Sequence, residues 1–369
     1  MIAETVFSTQ LSNKILKEAK ETISLFFTPY NFIIMSIVTS VLKEEKAKKF
    51  MYDRLKLLAL SANKELTQEI ADIAGAEVLP GKVTHFADNE ILFEGQKSFR
   101  GDNVYIVQST CNPVTDRLME VLLAIDACKR ASARSITCVM PYFGYARQDR
   151  KAKARQPISA KLVADLLTTA GADRIVSTDL HASQLAGFFN IPVDDMSPLP
   201  LFYRYFKDLN LENVVCVSPD HGGVVRTSRL ADKLNAPIAI IDKRRPAPNQ
   251  AEMYGIVGDV KGKVCIIVDD IVDTAGTLCL AANKLQELGA TKVYAAITHG
   301  VLSGPAIERL NASCIEKLVI TDSIPLGDKK CDKIDVLKLA PMYAKIICAI
   351  EDGKSLSDVH QSLQEDALK

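Results

Sequence analysis

Short β-branched runs alternate with amphipathic helical stretches from Leu55 almost to the end of the chain. "NVYIVQS" (103–109) carries four consecutive apolar residues, 104–107, and predicts a buried strand. Leu118, Val121, Leu122 and Ile125 then recur at helical spacing through "RLMEVLLAIDACKRA". "SITCVM" predicts the next strand, "ISAKLVADLLTTAG" a helix closed by Gly171, and "RIVSTDL" another strand. The second half follows the same grammar, with strands in "VVCVSPD", "PIAIID", "VCIIVDD" and "KVYAAITHG" and helices in "VVRTSRLADKL" and "LCLAANKLQELG". Apolar strands separated by helices call for right-handed crossovers, hence an α/β fold class with mostly parallel sheets covered on both faces. At 369 residues, two such domains fit the length. The expected division is an extension over 1–54, domains over 55–198 and 199–345, and a C-terminal helix or tail over 346–369.

Composition narrows the partners. Lys plus Arg and Asp plus Glu number 45 each, so no global field favours nucleic acid or an anionic membrane, and any basic site is local. The nine cysteines form no CxxC pair and no metal-ligand spacing, which points to buried, reduced thiols and a cytoplasmic location. Residues 22–42 carry no charge and are long enough to span a membrane, although Pro29 and Asn31 interrupt them. A membrane anchor, a targeting segment, and an accessory stretch preceding a start at Met51 are the three readings of that extension.

In open α/β sheets ligands bind beyond the carboxyl ends of the strands, and polar clusters sit at five such ends here. "VDDIVDTAGTL" (268–278) is the densest. After a strand expected over 264–268, residues 273–277 turn into a helix, and backbone N–H groups there form an anion nest. Thr274 and Thr277 add hydroxyls, and Gly276 lets the backbone approach closely. Asp269 and Asp270 are expected to leave the strand and accept hydrogen bonds from vicinal hydroxyls, so the whole stretch suits a sugar phosphate. "DLHASQ" and "PDHGG" put His181 and Asp220 at strand ends, where they suit a hard metal or a phosphate, or serve structure alone. His85, His299 and His360 are read as structural. "YARQDRKAKARQP" gathers Arg147, Arg150, Lys151, Lys153 and Arg155, with Gln148 able to read a base or hydroxyl; a solvated charge run is the bland alternative. "DKRRPAPN" is expected to be a mobile basic loop that brings Lys243, Arg244 and Arg245 over a transferring phosphoryl group. No P-loop, GxGxxG or GxSxG element is present. The residues alone describe an α/β enzyme for a sugar phosphate and a second polyanion, with Mg²⁺.

Together "VVDDIVDTAGTL", "PYFGYARQDRK", "STDLHASQ", "SPDHGGVVR", "IIDKRRPAPN" and "THGVLSGPAIERL" resemble the ribose-phosphate diphosphokinase family, which has the phosphoribosyltransferase fold. The similarity runs from about Leu55 to about Ile350. It implies two phosphoribosyltransferase-like domains, an N-terminal one for ATP and a C-terminal one for ribose 5-phosphate. The implied reaction is diphosphoryl transfer from ATP to the ribose 1-hydroxyl. By resemblance, Asp269 and Asp270 hold the ribose hydroxyls, and Asp273, Thr274, Ala275, Gly276 and Thr277 the 5-phosphate. Arg147, Gln148, Arg150 and His181 bind ATP, His181 and Asp220 place Mg²⁺, and Lys243 and Arg245 act in catalysis. "FADNE" matches an adenine-capping element supplied by a neighbouring subunit, through Phe86, Asp88 and Glu90. Asn89 stands at its usual glycine and tolerates the left-handed turn. This implies a dimer-based homo-oligomer, expected as a hexamer. Ser98, Arg100, Ser132 and Arg134 match parts of an interface site for phosphate and ADP regulation. Two rivals share some of these strings: a nucleobase phosphoribosyltransferase, and a non-catalytic synthetase-associated subunit. The first lacks the two-domain length and the RQDRK and KRRP clusters; the second is expected to have lost catalytic residues or to carry an insertion near the basic loop.

Overall fold

The computed structural model describes residues 52–247 and 250–368. The extension up to residue 51, including the uncharged run, lies outside the described residues. Arg54–Lys369 form one compact unit.

The first sheet is built from β1 (Leu55–Ala59), β2 (Glu77–Leu79), β5 (Asn103–Val107), β6 (Ser135–Met140), β7 (Arg174–Thr178) and β8 (Val193–Met196), with a separate antiparallel hairpin of β3 (Gly81–His85) and β4 (Ile91–Gly95). Its order is β2-β1-β5-β6-β7-β8, and every pairing is parallel. Helices α1 (Lys64–Ala74), α2 (Val114–Arg130) and α3 (Ser159–Ala170) make the crossovers. Residue alternation along β5 puts Val104 and Ile106 on one face, in the same core as Val121 and Ile125 of α2 and Val163 and Leu167 of α3. The expected stop of α3 is present: Gly171 has φ +119° and its N–H donates back to Leu167 and Thr168 carbonyls.

The second sheet follows α4 (Leu199–Asp208). It comprises β9 (Val214–Ser218), β10 (Ile238–Ala247), β11 (Gln250–Val257), β12 (Val264–Val272), β13 (Lys292–Gly300), β14 (Ile315–Thr321) and β15 (Ile334–Leu337), with α5 (Val224–Leu234), α6 (Gly276–Glu287) and α7 (Ala306–Ala312) between them. The order is β11-β10-β9-β12-β13-β14-β15, parallel throughout except for β10 with β11. That exception corrects one expectation. "DKRRPAPN" is not a loose loop at its start: Lys243 and Arg244 pair opposite Met253 and Glu252 in an antiparallel ladder. Pro246, which has no N–H to give, falls in the register shift between Arg244 and Ala247, where a ladder tolerates it.

The C-terminal α8 (Ala340–Glu351), followed by α9 (Leu356–Leu368), returns to the first sheet. Tyr343 Oη shares a 2.5 Å hydrogen bond with Thr178 Oγ1, and the Glu351 carboxylate accepts from Asn103 Nδ2 and Tyr105 Oη at 2.8 Å. Ile346 and Ile347 are fully buried, each contributing on the order of 2 kcal/mol relative to exposure. The expected boundary at 345/346 therefore falls inside one helix. Among the described residues, no helix is long and apolar enough to cross a membrane, and none of the nine cysteines forms a disulfide.

Candidate functional site

The carboxyl ends of β7, β9 and β12 carry the densest charge. β12 does not stop at Val268 as its apolar run suggested. It continues to Val272, with Asp269 opposite Ile297 and Ile271 opposite His299, because backbone pairing with the long β13 outweighs the polarity of two aspartates. Asp269 and Asp270 thus remain in the strand, with their carboxyl groups near enough to interact directly. Asp270 is 5% exposed. Its carboxylate meets His181 Nδ1 at 2.6 Å and Arg226 Nη1 at 3.6 Å. Its own N–H donates to Asp269 Oδ1 at 3.0 Å.

Arg226, on α5 of the second sheet, also reaches the first. Its Nε donates to Asp179 Oδ1 at 3.1 Å, at the end of β7, and Thr298 Oγ1 donates to the other oxygen of that carboxylate. Electrostatics then split the aspartate pair. Burial and the neighbouring Asp270 charge push Asp269 well above the ordinary carboxylate range. Burial also opposes the Asp270 charge, but the His181 hydrogen bond and the Arg226 guanidinium outweigh it and hold that carboxyl well below the range. Asp270 is the ionised member. Its hydrogen bond in turn raises His181, against the effect of burial. His299, read as structural, is fully enclosed and kept neutral by burial. Its Nε2 lies 3.3 Å from the Asp179 carbonyl, which can only accept, so Nδ1 accepts from Ser323 Oγ at 2.9 Å.

The turn after β12 has the geometry of an anion nest. Ala275 is left-handed (φ +57°) and buried, directly before α6 begins at Gly276. A non-glycine residue in that region costs roughly 1 kcal/mol, so the turn is held by its surroundings. Ser303 N–H donates to the Asp273 carbonyl at 3.0 Å, and Arg309 Nη1 to the Thr274 carbonyl at 2.9 Å. A Cβ at Gly276 would stand 3.1 Å from Arg309 Nη1, so the guanidinium is the close neighbour there. Thr274 and Thr277 are exposed. The Asp273 carboxylate pairs with Arg147 Nη1 at 2.8 Å; burial works against its charge, and the hydrogen bond from Arg147 keeps its pKa below the ordinary value.

Arg147 comes from the loop after β6. That loop passes so close to Thr110 that a Cβ on Gly144 would lie 2.4 Å from the Thr110 carbonyl oxygen, so only glycine fits. Gln148 Oε1 accepts from Ser159 Oγ at 2.6 Å, which ties the loop to the start of α3. Arg150 is exposed beside them. The Asp220 carboxylate folds back onto its own turn, where Oδ1 accepts from Gly222 N–H at 2.8 Å and Gly223 N–H at 3.1 Å. His181 and Asp220 belong to no larger cluster: among the described residues, no group of three or more His, Cys, Asp or Glu could hold a metal.

Other candidates lie elsewhere. Phe86, Asp88 and Glu90 form the tip of the β3–β4 hairpin, where Phe86 is half exposed, Asn89 has φ +68°, and Glu90 N–H donates to Asp88 Oδ1 at 3.1 Å. Lys243 and Arg245 follow Asp242 along β10; their side chains lie outside the described part of the structure. Ser98, Arg100, Ser132 and Arg134 are exposed on two loops joined by backbone bonds, Gly101 N–H to Ser132 O at 2.9 Å and Arg134 N–H to Asp102 O at 2.8 Å. Asp179, Arg226 and Arg309 were not singled out by sequence reasoning. They occur within "STDLHASQ", "SPDHGGVVR" and "THGVLSGPAIERL", but no local spacing says that a helix-borne arginine spans two sheets.

Comparison with known proteins bears on this arrangement. Residues 55–171 match the N-terminal domain of ribose phosphate pyrophosphokinase, and residues 223–361 match the phosphoribosyl synthetase-associated domain. A ribose-phosphate pyrophosphokinase of Bacillus caldolyticus is 56% identical over 305 residues, 82% of this chain and 97% of that protein. That of Bacillus subtilis (strain 168) is 53% identical over 304 residues, covering 82% and 96%. The crystal structure of phosphoribosylpyrophosphate synthetase from Mycobacterium smegmatis superposes with a TM-score of 0.77 at 42% identity, over 81% of this chain and 99% of that one.

Proposed function

The chain belongs to the ribose-phosphate pyrophosphokinase family, and from that premise we propose how its residues divide the reaction. The enzyme transfers the β,γ-diphosphoryl group of ATP to the 1-hydroxyl of ribose 5-phosphate, giving 5-phosphoribosyl 1-diphosphate and AMP. In this reading residues 55–198 bind ATP and residues 199–345 bind ribose 5-phosphate.

Residues 273–277 take the 5-phosphate on the N–H groups of the nest, while Asp269 and Asp270 accept the ribose hydroxyls. The ionised Asp270, fixed by Arg226 and His181, is the stronger acceptor. Arg147, Gln148, Arg150 and His181 bind ATP, and Phe86, Asp88 and Glu90 of a neighbouring subunit cap its adenine in a homo-oligomer. Lys243 and Arg245 neutralise charge on the transferring group, where positioning and electrostatic compensation supply most of the rate. Ser98, Arg100, Ser132 and Arg134 form a regulatory anion site.

Mg²⁺ fits the donors present. The Nδ1 contact of His181 with Asp270 orients the ring and leaves Nε2 for a ligand. Two protein donors, His181 and Asp220, suit an ion that takes its remaining ligands from water and substrate phosphates. When bound, Mg²⁺ would neutralise the polyphosphate oxygens that otherwise repel the incoming hydroxyl.

The observation that carries this reading is the 2.8 Å pair of Arg147 with Asp273, which joins the candidate ATP cluster to the candidate ribose-phosphate turn. Release of AMP from ATP, with ribose 5-phosphate and Mg²⁺, is the direct test. Pure, folded protein that yields no AMP would support a non-catalytic subunit instead.

A further inference from the structure

The chain reaches His181 from β7 through a strained turn. Asp179, the first residue after β7, has φ +47°, in the left-handed region that a residue with a Cβ seldom enters. Such a backbone persists only where its surroundings over-determine it. Asp179 N–H donates to Met196 O at 3.0 Å within the first sheet, and its carboxylate accepts from Arg226 Nε and Thr298 Oγ1 of the second. The peptide that follows is pinned at both polar ends. His299 Nε2 lies 3.3 Å from the Asp179 carbonyl oxygen, and Leu180 N–H donates to Asp195 Oδ1 at 3.0 Å.

The His299 ring is itself locked. It is 3% exposed, and burial keeps it neutral, so it carries a single ring proton. That proton sits on Nε2, facing the Asp179 carbonyl, while Nδ1 accepts from Ser323 Oγ at 2.9 Å. Ser323 is buried too, and its carbonyl accepts from Ser109 Oγ of the first domain. The Tyr142 ring meets the imidazole edge-on, with centroids 5.0 Å apart and planes at 63°. Tyr142, Thr178, Asp179, His181 and His299 border a gap with no room for a water molecule, so a bridging water cannot take over the bond to Asp179.

The pinned peptide leads directly into His181, whose Nδ1 meets Asp270 at 2.6 Å. Rotation of that peptide plane would swing the His181 ring off its partner. We infer that His299 and Asp195 are positioning residues for the diphosphoryl transfer: holding the two polar ends of the 179–180 peptide, they aim His181 at the metal and ATP site. Both act through the backbone of the turn that carries His181, and not on substrate. His299 comes from the second sheet and Asp195 from the first. The clamp therefore makes the candidate ATP side depend on its packing against the candidate ribose side. This inference deepens the proposed function and rests on its assignment of His181.

His299→Phe keeps a ring against Tyr142 and removes the donor. It should raise both KM for ATP and the Mg²⁺ needed for half-maximal rate by about 10–100-fold, the usual loss when a group orienting a metal ligand is removed. KM for ribose 5-phosphate should stay near the parent value, because Ser303, Arg309 and Arg147 hold the nest at 273–277. In protein free of metal and substrate, hydrogen–deuterium exchange read by mass spectrometry should quicken over 178–182 and not over 264–272. Asp195 is exposed, so Asp195→Ala spares the core; it should give the same pattern at smaller amplitude. Asp195→Asn keeps the accepting oxygen and should restore the parent values. If His299→Phe does not fold, the two Asp195 variants carry the test. A rise in both KM values with faster exchange along the whole chain would make His299 an ordinary core residue and overturn the proposal. Parental ATP and Mg²⁺ dependence in folded His299→Phe or in Asp195→Ala would overturn it as well. His181→Ala separates the two layers. A normal ATP and Mg²⁺ dependence there sinks the reading of His181 itself, whereas a defect there beside a normal His299→Phe sinks only the clamp.

Discussion

Arg226 lies 3.1 Å from Asp179 and 3.6 Å from Asp270, and Asp270 lies 2.6 Å from His181. At the start of α1, by contrast, Asn63 Nδ2 and Asp322 Oδ2 are buried without a hydrogen bond, with Lys338 Nζ 3.8 Å from the second. Both regions join the first sheet to the second, and both place an aspartate in partial or full burial. The first region resolves the desolvation cost internally, with opposite charges at contact distance. The second leaves it open. A buried charge network that is complete can hold its geometry while substrate comes and goes; one that is incomplete carries the desolvation cost of its unpaired groups.

Breaking the closed network should have the largest effect. Arg226→Met removes the cation between two carboxylates and leaves them facing each other in low dielectric, at a cost of about 3–5 kcal/mol in urea unfolding. A loss below about 1 kcal/mol would show that Asp179 and Asp270 do not depend on it. Next comes the pair at the rim of the same region. Arg147 is 49% exposed, so Arg147→Ala should change stability by less than about 1 kcal/mol. Turnover should nevertheless fall on the order of 100-fold, since a positioning cation is lost from the proposed ATP site. Unchanged kcat in that variant would remove Arg147 from the ATP site.

The open region gives the smallest and most specific signal. Burial raises Asp322 to about 6 from its ordinary 3.8, partly offset by the Leu339 N–H and Lys338 and reinforced by Glu69. Because the folded state favours the protonated form, the associated stability is fully present below pH 3.8. It is lost as pH rises towards 6. Asp322→Asn cannot titrate. The stability of the variant relative to the parent should therefore grow across that window and stay flat above it, by roughly 3 kcal/mol. Parallel pH profiles for the two proteins would contradict the burial argument.

Much of this molecule was legible in its residues. The helix over 224–234 and the strands over 135–140 and 292–300 are bounded in the structure as their periodicity indicates, because amphipathic spacing and apolar runs are local properties. The polar strand ends were equally visible, since a parallel sheet puts every carboxyl end on one side. Errors came where a distant partner decides. β12 runs through two aspartates because β13 is long enough to pair with them. The KRR segment is a strand because 250–257, the next stretch of chain, folds back antiparallel to it, a pairing that the proline-rich residues between them mask in the sequence pattern.

By itself, then, the sequence determined the α/β class, the alternation of elements, the family, and the strand ends where charge accumulates, all of which depend on neighbours a few positions apart. Tertiary structure alone decided which charges meet. Arg226 with Asp179, 47 positions away, Arg147 with Asp273, 126 positions away, and α8 returning to Tyr105 are consequences of how the two sheets pack. The same packing left Asn63 Nδ2 and Asp322 Oδ2 buried without a hydrogen bond, because hydrogen bonds and desolvation depend on distances in space, which separation along the chain does not encode.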